Sequence, residues 1–221
     1  MAIQLKNTLD VSSNGIKVLV YGHAGAGKTT LGATMPAPII ISAEGGLLSI
    51  KDAGLDYIEV NSMDTLMEAF EYVSASGDKY ASVVLDSISE IAEVVLVHEK
   101  AVNKDGRAAY GEMAVQMTSI VRAFRDLGGK HVLMTAKVEK AQDESGRILY
   151  SPSMPGNKVG QSLPYFFDEV LALRVEKDGD GKAQRALMCD SDGIWLAKDR
   201  SGKLDAWEAP DMGAIIEKMS A

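Results

Sequence analysis

The sequence predicts an α/β fold: a mainly parallel sheet flanked by helices, with an antiparallel extension at its C-terminal end. Three observations predict it. Short apolar runs such as IKVLVY (16–21), PIIIS (38–42) and SVVLD (82–86) read as strands buried on both faces. Segments with apolar residues at helical spacing lie between such runs, and alternating strands and helices build parallel sheets. After residue 168 three strand-like segments follow with no helical pattern between them, as in a meander.

The first strand ends at Gly22 and runs into a Gly-rich turn and a helix beginning near Lys28. PIIIS is the second strand and YIEV (57–60) a shorter third. Met63, Leu66, Met67, Phe70 and Val73 then recur at helical spacing, with Ser62 placed to cap the helix start. SVVLD is the next strand, ending on Asp86, and a helix follows at about 88–101. The polar stretch NKDGRAAYG (103–111) reads as a loop. Met113, Met117, Ile120, Val121, Phe124 and Leu127 mark a further helix, closed by Gly128 and Gly129. HVLMTA (131–136) is a strand. Residues 138–163 are polar, rich in Gly, Pro and Ser, and read as one long loop; loops of that length are usually functional or disordered. EVLALRV (169–175), QRALMCD (184–190) and GIWLAKD (193–199) form the meander, and a short helix at about 211–219 ends it. Phe166, Phe167, Trp195 and the helically spaced methionines read as core.

The chain of 221 residues, 46% of them hydrophobic, suits one α/β domain: a tail over residues 1–15 and a domain over 16–221. A net charge of -8 excludes wholesale, charge-driven coating of nucleic acid. The charges are uneven, however: residues 99–140 hold eight Lys or Arg against five Asp or Glu. A single cysteine, Cys189, allows no intrachain disulfide and fits a reducing compartment. With no signal-like N-terminus and no long apolar span, the expectation is a soluble, cytoplasmic protein.

Residues 22–29 read G-H-A-G-A-G-K-T, a full match to G-x-x-x-x-G-K-[ST] placed between a strand and a helix. In such a P-loop, Gly22, Gly25 and Gly27 let the backbone wrap closely, so that N–H groups of Gly22, His23, Ala24, Gly25, Ala26, Gly27 and the helix start through Thr30 face the phosphates. His23 occupies a variable position and is assigned no chemistry of its own. Lys28 would neutralise the β- and γ-phosphates, and Thr29 would offer its hydroxyl to Mg2+. Asp86 is the candidate second magnesium-sphere residue, with Ser87 sharing its water shell; a simple helix-capping Asp is the alternative. Glu44, after PIIIS, stands where a carboxylate can polarise the water that attacks the γ-phosphate, or where a solvated turn residue would sit.

Together these residues resemble the RecA-like recombinase ATPase core, most of all the phage single-strand annealing proteins built on it. ISAEGGL (41–47) is similar to the strand end carrying the family's catalytic glutamate, and VVLDSIS (83–89) to its Asp-Ser strand end. GRAAYGEMAVQM (106–117) resembles the first DNA-binding loop, and residues 151–175 resemble the second with its following strand. LAKDR (196–200) is similar to a C-terminal segment whose two basic residues act on a neighbouring subunit's γ-phosphate, which makes Lys198 and Arg200 candidate trans-acting fingers. Lys137 departs from the pattern, standing where the family presents an amide that senses the γ-phosphate.

The resemblance implies ATP and Mg2+ as ligands, single-stranded DNA as partner, and a homo-oligomer, ring or filament, with ATP between subunits. It also brings in a single-strand DNA-binding protein as a further partner. The candidate DNA contacts are Lys104, Arg107 and Tyr110 in the first loop and Arg147, Tyr150 and Lys158 in the second, pairing cations for the backbone with rings for the bases. A polymerisation strand would have to come from Ala2–Lys6. The implied function is a DNA-stimulated ATPase that promotes annealing or recombination, in a bacterial cytoplasm if phage-encoded. A small-molecule or nucleotide kinase, and a nucleotide-gated adaptor without DNA binding, remain open as alternatives.

Overall fold

The computed structural model describes residues 15–220. Its core is one ten-stranded sheet. β1 (Lys17–Gly22), β2 (Pro38–Ser42), β3 (Tyr57–Glu59), β4 (Ser82–Asp86), β5 (His131–Gln142) and β7 (Glu169–Lys177) run parallel in the order β7-β1-β5-β4-β2-β3. β6 (Ile148–Ser153) pairs antiparallel with β5, and β8 (Ala183–Met188) with β7. β9 (Lys198–Asp199) also pairs with β7, and β10 (Trp207–Glu208) with β8, both antiparallel. This is the RecA-like fold that the resemblance implied: β5 is inserted between the P-loop strand and the Asp86 strand.

The apolar runs are continuous because both faces of the sheet are covered. Leu19, Tyr21, Ile39, Ile41, Val83 and Leu85 face one core, and Val18, Val20, Ile40 and Val84 face the other. The first core is closed by α2 (Met63–Ala75), α3 (Ile88–Val102) and α4 (Gly106–Arg125); the second by α1 (Lys28–Gly32) and α6 (Met212–Ser220). Gly32 belongs to a close contact, since a Cβ there would lie 2.9 Å from Val84 Cγ1. Ser62 caps α2 as expected: its Oγ accepts the Thr65 N–H while Thr65 Oγ1 accepts the Ser62 N–H, each at 3.1 Å.

Three readings are corrected. First, residues 106–111 are not a loop but the first turns of α4, started by Asp105, whose Oδ1 accepts the Arg107 N–H at 2.9 Å. Buried Ala109 extends the Met113–Met117–Val121 face back by a turn, which outweighs the flanking glycines. Second, residues 138–163 are no long loop. β5 continues to Gln142 and turns into β6 as a hairpin, and α5 (Asn157–Ser162) follows. The hairpin projects into solvent, so no buried face imposes an alternation that the sequence could display. Third, GIWLAKD keeps only the two-residue β9, with Trp195 buried beside Tyr150 at an isolated bridge. The short β10 carried no periodicity at all. The proposed strand Ala2–Lys6 lies outside the described residues.

β9 docks on the start of β7 with Asp199 opposite Glu169, and Glu169 is fully buried. Burial first, and then Asp199, push the Glu169 carboxyl from an ordinary 4.5 up to about 8. Its Oε2 has no hydrogen-bond partner among the described residues, so a negative charge there would be left uncompensated. Between those two values the folded chain keeps a proton that the unfolded chain has lost. This stability is therefore complete below the unfolded value and is lost as pH rises through about 8. Glu169→Gln is expected to be near neutral at about pH 5 and to stabilise by roughly 1–3 kcal/mol at about pH 9. Thermal unfolding across that range checks it; parallel profiles for variant and parent would show that no proton is held.

Candidate functional site

Gly22 closes β1 where backbone from β7 comes close: a Cβ on Gly22 would meet the Leu173 carbonyl oxygen at 2.7 Å. The turn then needs a left-handed residue directly before the helix, and Gly27 supplies it at φ 104°. No side chain caps α1, so its first N–H groups, with those of the turn, line a cleft of about 670 Å³. Gly25, Lys28, Thr29, Glu44 and Arg185 are among the residues around it.

Lys28 is buried at the base, where its Nζ donates to the carbonyls of Gly22 at 3.1 Å and His23 at 3.2 Å. Burial holds its pKa below the ordinary lysine value, against the opposing pull of Glu44 and Asp86. Thr29 Oγ1 donates to Asp86 Oδ2 at 2.6 Å, and Thr135 Oγ1 of β5 donates to Asp86 Oδ1 at 2.5 Å. The intervening strand sets this geometry. With β5 between them, β1 and β4 stand two strand spacings apart, about 10 Å, and Thr29 at the start of α1 spans that gap to Asp86. β2 lies beyond β4, with Ser42 level with Asp86, and so delivers Glu44 to the same edge. The Glu44 carboxylate accepts the Ser87 hydroxyl at 2.5 Å. Ser87 also caps α3, and the peptide joining it to Asp86 is cis.

The donor set suits magnesium. Mg2+ is ordinarily held by one or two protein oxygens together with substrate phosphates and water. A threonine hydroxyl in contact with one buried carboxylate, at the rim of an N–H-lined cleft, matches that demand. No cluster of three or more His, Cys, Asp or Glu that could cage a metal occurs among the described residues.

Lys137 is level with Gly22 across the β1–β5 pair, but its ammonium is engaged by the Glu90 carboxylate of α3. Its N–H donates to Ser89 Oγ, which in turn donates to the Ser153 carbonyl, tying the ends of β5, α3 and β6 together. Lys198 and Arg200 lie at the other end of the sheet, beside the start of β7. Lys198 Nζ donates to the carbonyls of Pro164 and Phe167 at 2.8 and 2.7 Å, whereas Arg200 makes one exposed ion pair with Asp168 at 3.2 Å. Neither can reach the phosphate cleft of its own chain, which opens at the opposite edge.

The six candidate nucleic-acid contacts separate. Arg107 and Tyr110, on α4, line a small pocket of about 260 Å³ with Met113, Pro155 and Gly156, and the Lys100 ammonium lies 5.3 Å from the centre of the Tyr110 ring. Lys104 is exposed between α3 and α4. Arg147 pairs with Asp143 in the β5–β6 turn. Tyr150 is not an open stacking platform, because its ring is stacked on Trp195 with centroids 4.3 Å apart. The Lys158 side chain lies outside the described residues. His23, given no role from sequence, sets its ring edge against Trp195 and Tyr150 at 5.8 and 6.2 Å, joining the P-loop to the base of that hairpin.

Sequence reasoning missed Thr135 and Arg185. Thr135 sits inside an apolar run and reads as one more buried strand residue. Arg185 stands in a strand-like segment after a Gly-rich turn, 157 positions from Lys28, and carries no motif signal.

A family model described as an AAA domain matches residues 14–201. Among curated proteins no match was found. Among solved structures, a KaiC-like protein from the hyperthermophilic archaeon Pyrococcus horikoshii OT3 is similar at 15% identity, covering 79% of this chain and 78% of that one, with a TM-score of 0.45. No helix among the described residues is long and apolar enough to cross a membrane.

Proposed function

The chain belongs to this AAA domain family, and on that premise we propose that it is an ATPase whose turnover is stimulated by single-stranded DNA and shared between neighbouring subunits. The observation that carries the ATPase reading is the convergence of Lys28, Thr29 and Glu44 on one cleft at the C-terminal edge of the parallel sheet, with Asp86 hydrogen-bonded behind Thr29. The P-loop N–H groups and Lys28 hold the polyphosphate, while Thr29 and Asp86 hold Mg2+. The metal, when bound, neutralises phosphate charge. Glu44 accepts a hydrogen bond from a water molecule and draws its proton as the water oxygen forms a bond to the γ-phosphorus. The bond from that phosphorus to the β–γ bridging oxygen breaks, and ADP and phosphate leave.

The DNA reading is supported by the positive surplus over residues 99–140 and by Arg107 and Tyr110, which share one pocket rim with Pro155 and Gly156. The subunit-sharing reading is supported by Arg200: it is exposed at the edge opposite the cleft, so only a second copy of the chain brings it to the phosphates. Lys198, committed to two carbonyls, braces the segment that presents it.

The test is ATP hydrolysis with and without single-stranded DNA at several protein concentrations. DNA stimulation that rises cooperatively with protein is the expected result. A rate indifferent to DNA and linear in protein would leave an ATPase without the DNA and subunit-sharing roles, and phosphate transfer to an added nucleoside would replace it with a kinase. Arg200→Ala is expected to retain ATP binding and lose roughly tenfold or more of the cooperative turnover. Turnover equal to the parent's would remove the finger assignment.

A further inference from the structure

β7 and β8 continue past the phosphate edge of the sheet as a hairpin. Leu173 is one step beyond the Tyr21–Ala172 pair and so stands level with Gly22; Val175, two residues farther out, pairs with Arg185. On β8, Arg185 and Leu187 share a face, and Leu187 is buried in the core beneath α1 and α6. That face carries the Arg185 side chain over the phosphate loop. Its Nε donates to the Ala26 carbonyl at 3.0 Å, and a Cβ on Gly27 would lie 3.6 Å from the same Nε. Among the described residues, no carboxylate is in ion-pair range of this guanidinium and neither Nη makes a hydrogen bond.

An arginine held by Nε, with both Nη atoms unpaired beside a cleft lined by N–H groups and a buried lysine, lacks only an anion. The geometry points to Arg185 as a second cationic ligand for the nucleotide polyphosphate, supplied by the same chain from the β7–β8 hairpin. This rests on the nucleotide reading of the cleft and adds to it a residue that no P-loop motif contains. A guanidinium offers two parallel donors that match two oxygens of one phosphate, which the point charge of Lys28 does not do. The bond from Nε also occupies the Ala26 carbonyl, tying the phosphate loop to the β7–β8 hairpin. One side chain thus braces the loop and completes its charge.

Arg185→Gln and Arg185→Lys separate the two tasks. The readouts are binding of ATP, competition by inorganic tripolyphosphate, and thermal stability without ligand. The expected result for Arg185→Gln is a roughly 10- to 100-fold loss in affinity for both ligands, with at most a small fall in ligand-free stability from the lost Nε bond, and partial recovery in Arg185→Lys. Parental affinity in Arg185→Gln overturns the assignment. A fall in ligand-free stability with parental tripolyphosphate affinity also overturns it, leaving a brace alone. A parent chain that binds neither probe overturns the nucleotide site itself, and the role of Arg185 with it.

Discussion

Lys28→Ala is expected to lower ATP affinity by at least about 100-fold, the scale on which removing one partner of a buried charge pair is felt. The ammonium sits at the base of the cleft, held among the described residues by the carbonyls of Gly22 and His23, with burial working against its charge. The phosphate oxygens give that charge the partner it lacks. Alanine supplies no donor, and the negative charge loses the cation at the base of the cleft. Titration with a fluorescent ATP analogue reads the loss, and thermal unfolding without nucleotide shows that the fold survives. An unchanged affinity would sink the P-loop reading, and with it every role built on the cleft.

Glu44→Gln separates chemistry from binding. The amide is nearly isosteric, and its carbonyl can still accept the Ser87 hydroxyl, so position and packing are preserved. What disappears is the carboxylate's ability to take a proton from water. Hydrolysis is expected to fall by roughly 10²- to 10⁴-fold, the usual contribution of a positioned base. ATP affinity should hold or rise, because a negative charge near the phosphates has gone. Single-turnover hydrolysis alongside equilibrium binding measures both. A variant that hydrolyses ATP at the parental rate would return Glu44 to the status of a solvated turn residue and move the base elsewhere at that edge.

By itself, the sequence determined the parts of this protein whose physics is local. The buried strands 38–42 and 82–86 are legible because a strand covered on both faces must be apolar throughout. The α2 cap is legible because Ser62 and Thr65 satisfy each other's N–H groups three residues apart. The phosphate loop is legible because close backbone wrapping demands glycine at fixed positions. Only the tertiary structure decided what depends on distant segments meeting. Inserting β5 between β1 and β4 put Thr135 on Asp86 and set the spacing between those two strands. Two hairpins continuing past the sheet edge brought Arg185 to Ala26, and Tyr150 with Trp195 to His23. The same packing gave Lys137 to Glu90 and Lys198 to two carbonyls, partners that no spacing in the chain announces. Projecting hairpins bury little, so they carry no hydrophobic period to read, and a contact across more than a hundred residues is settled by sheet order and register alone.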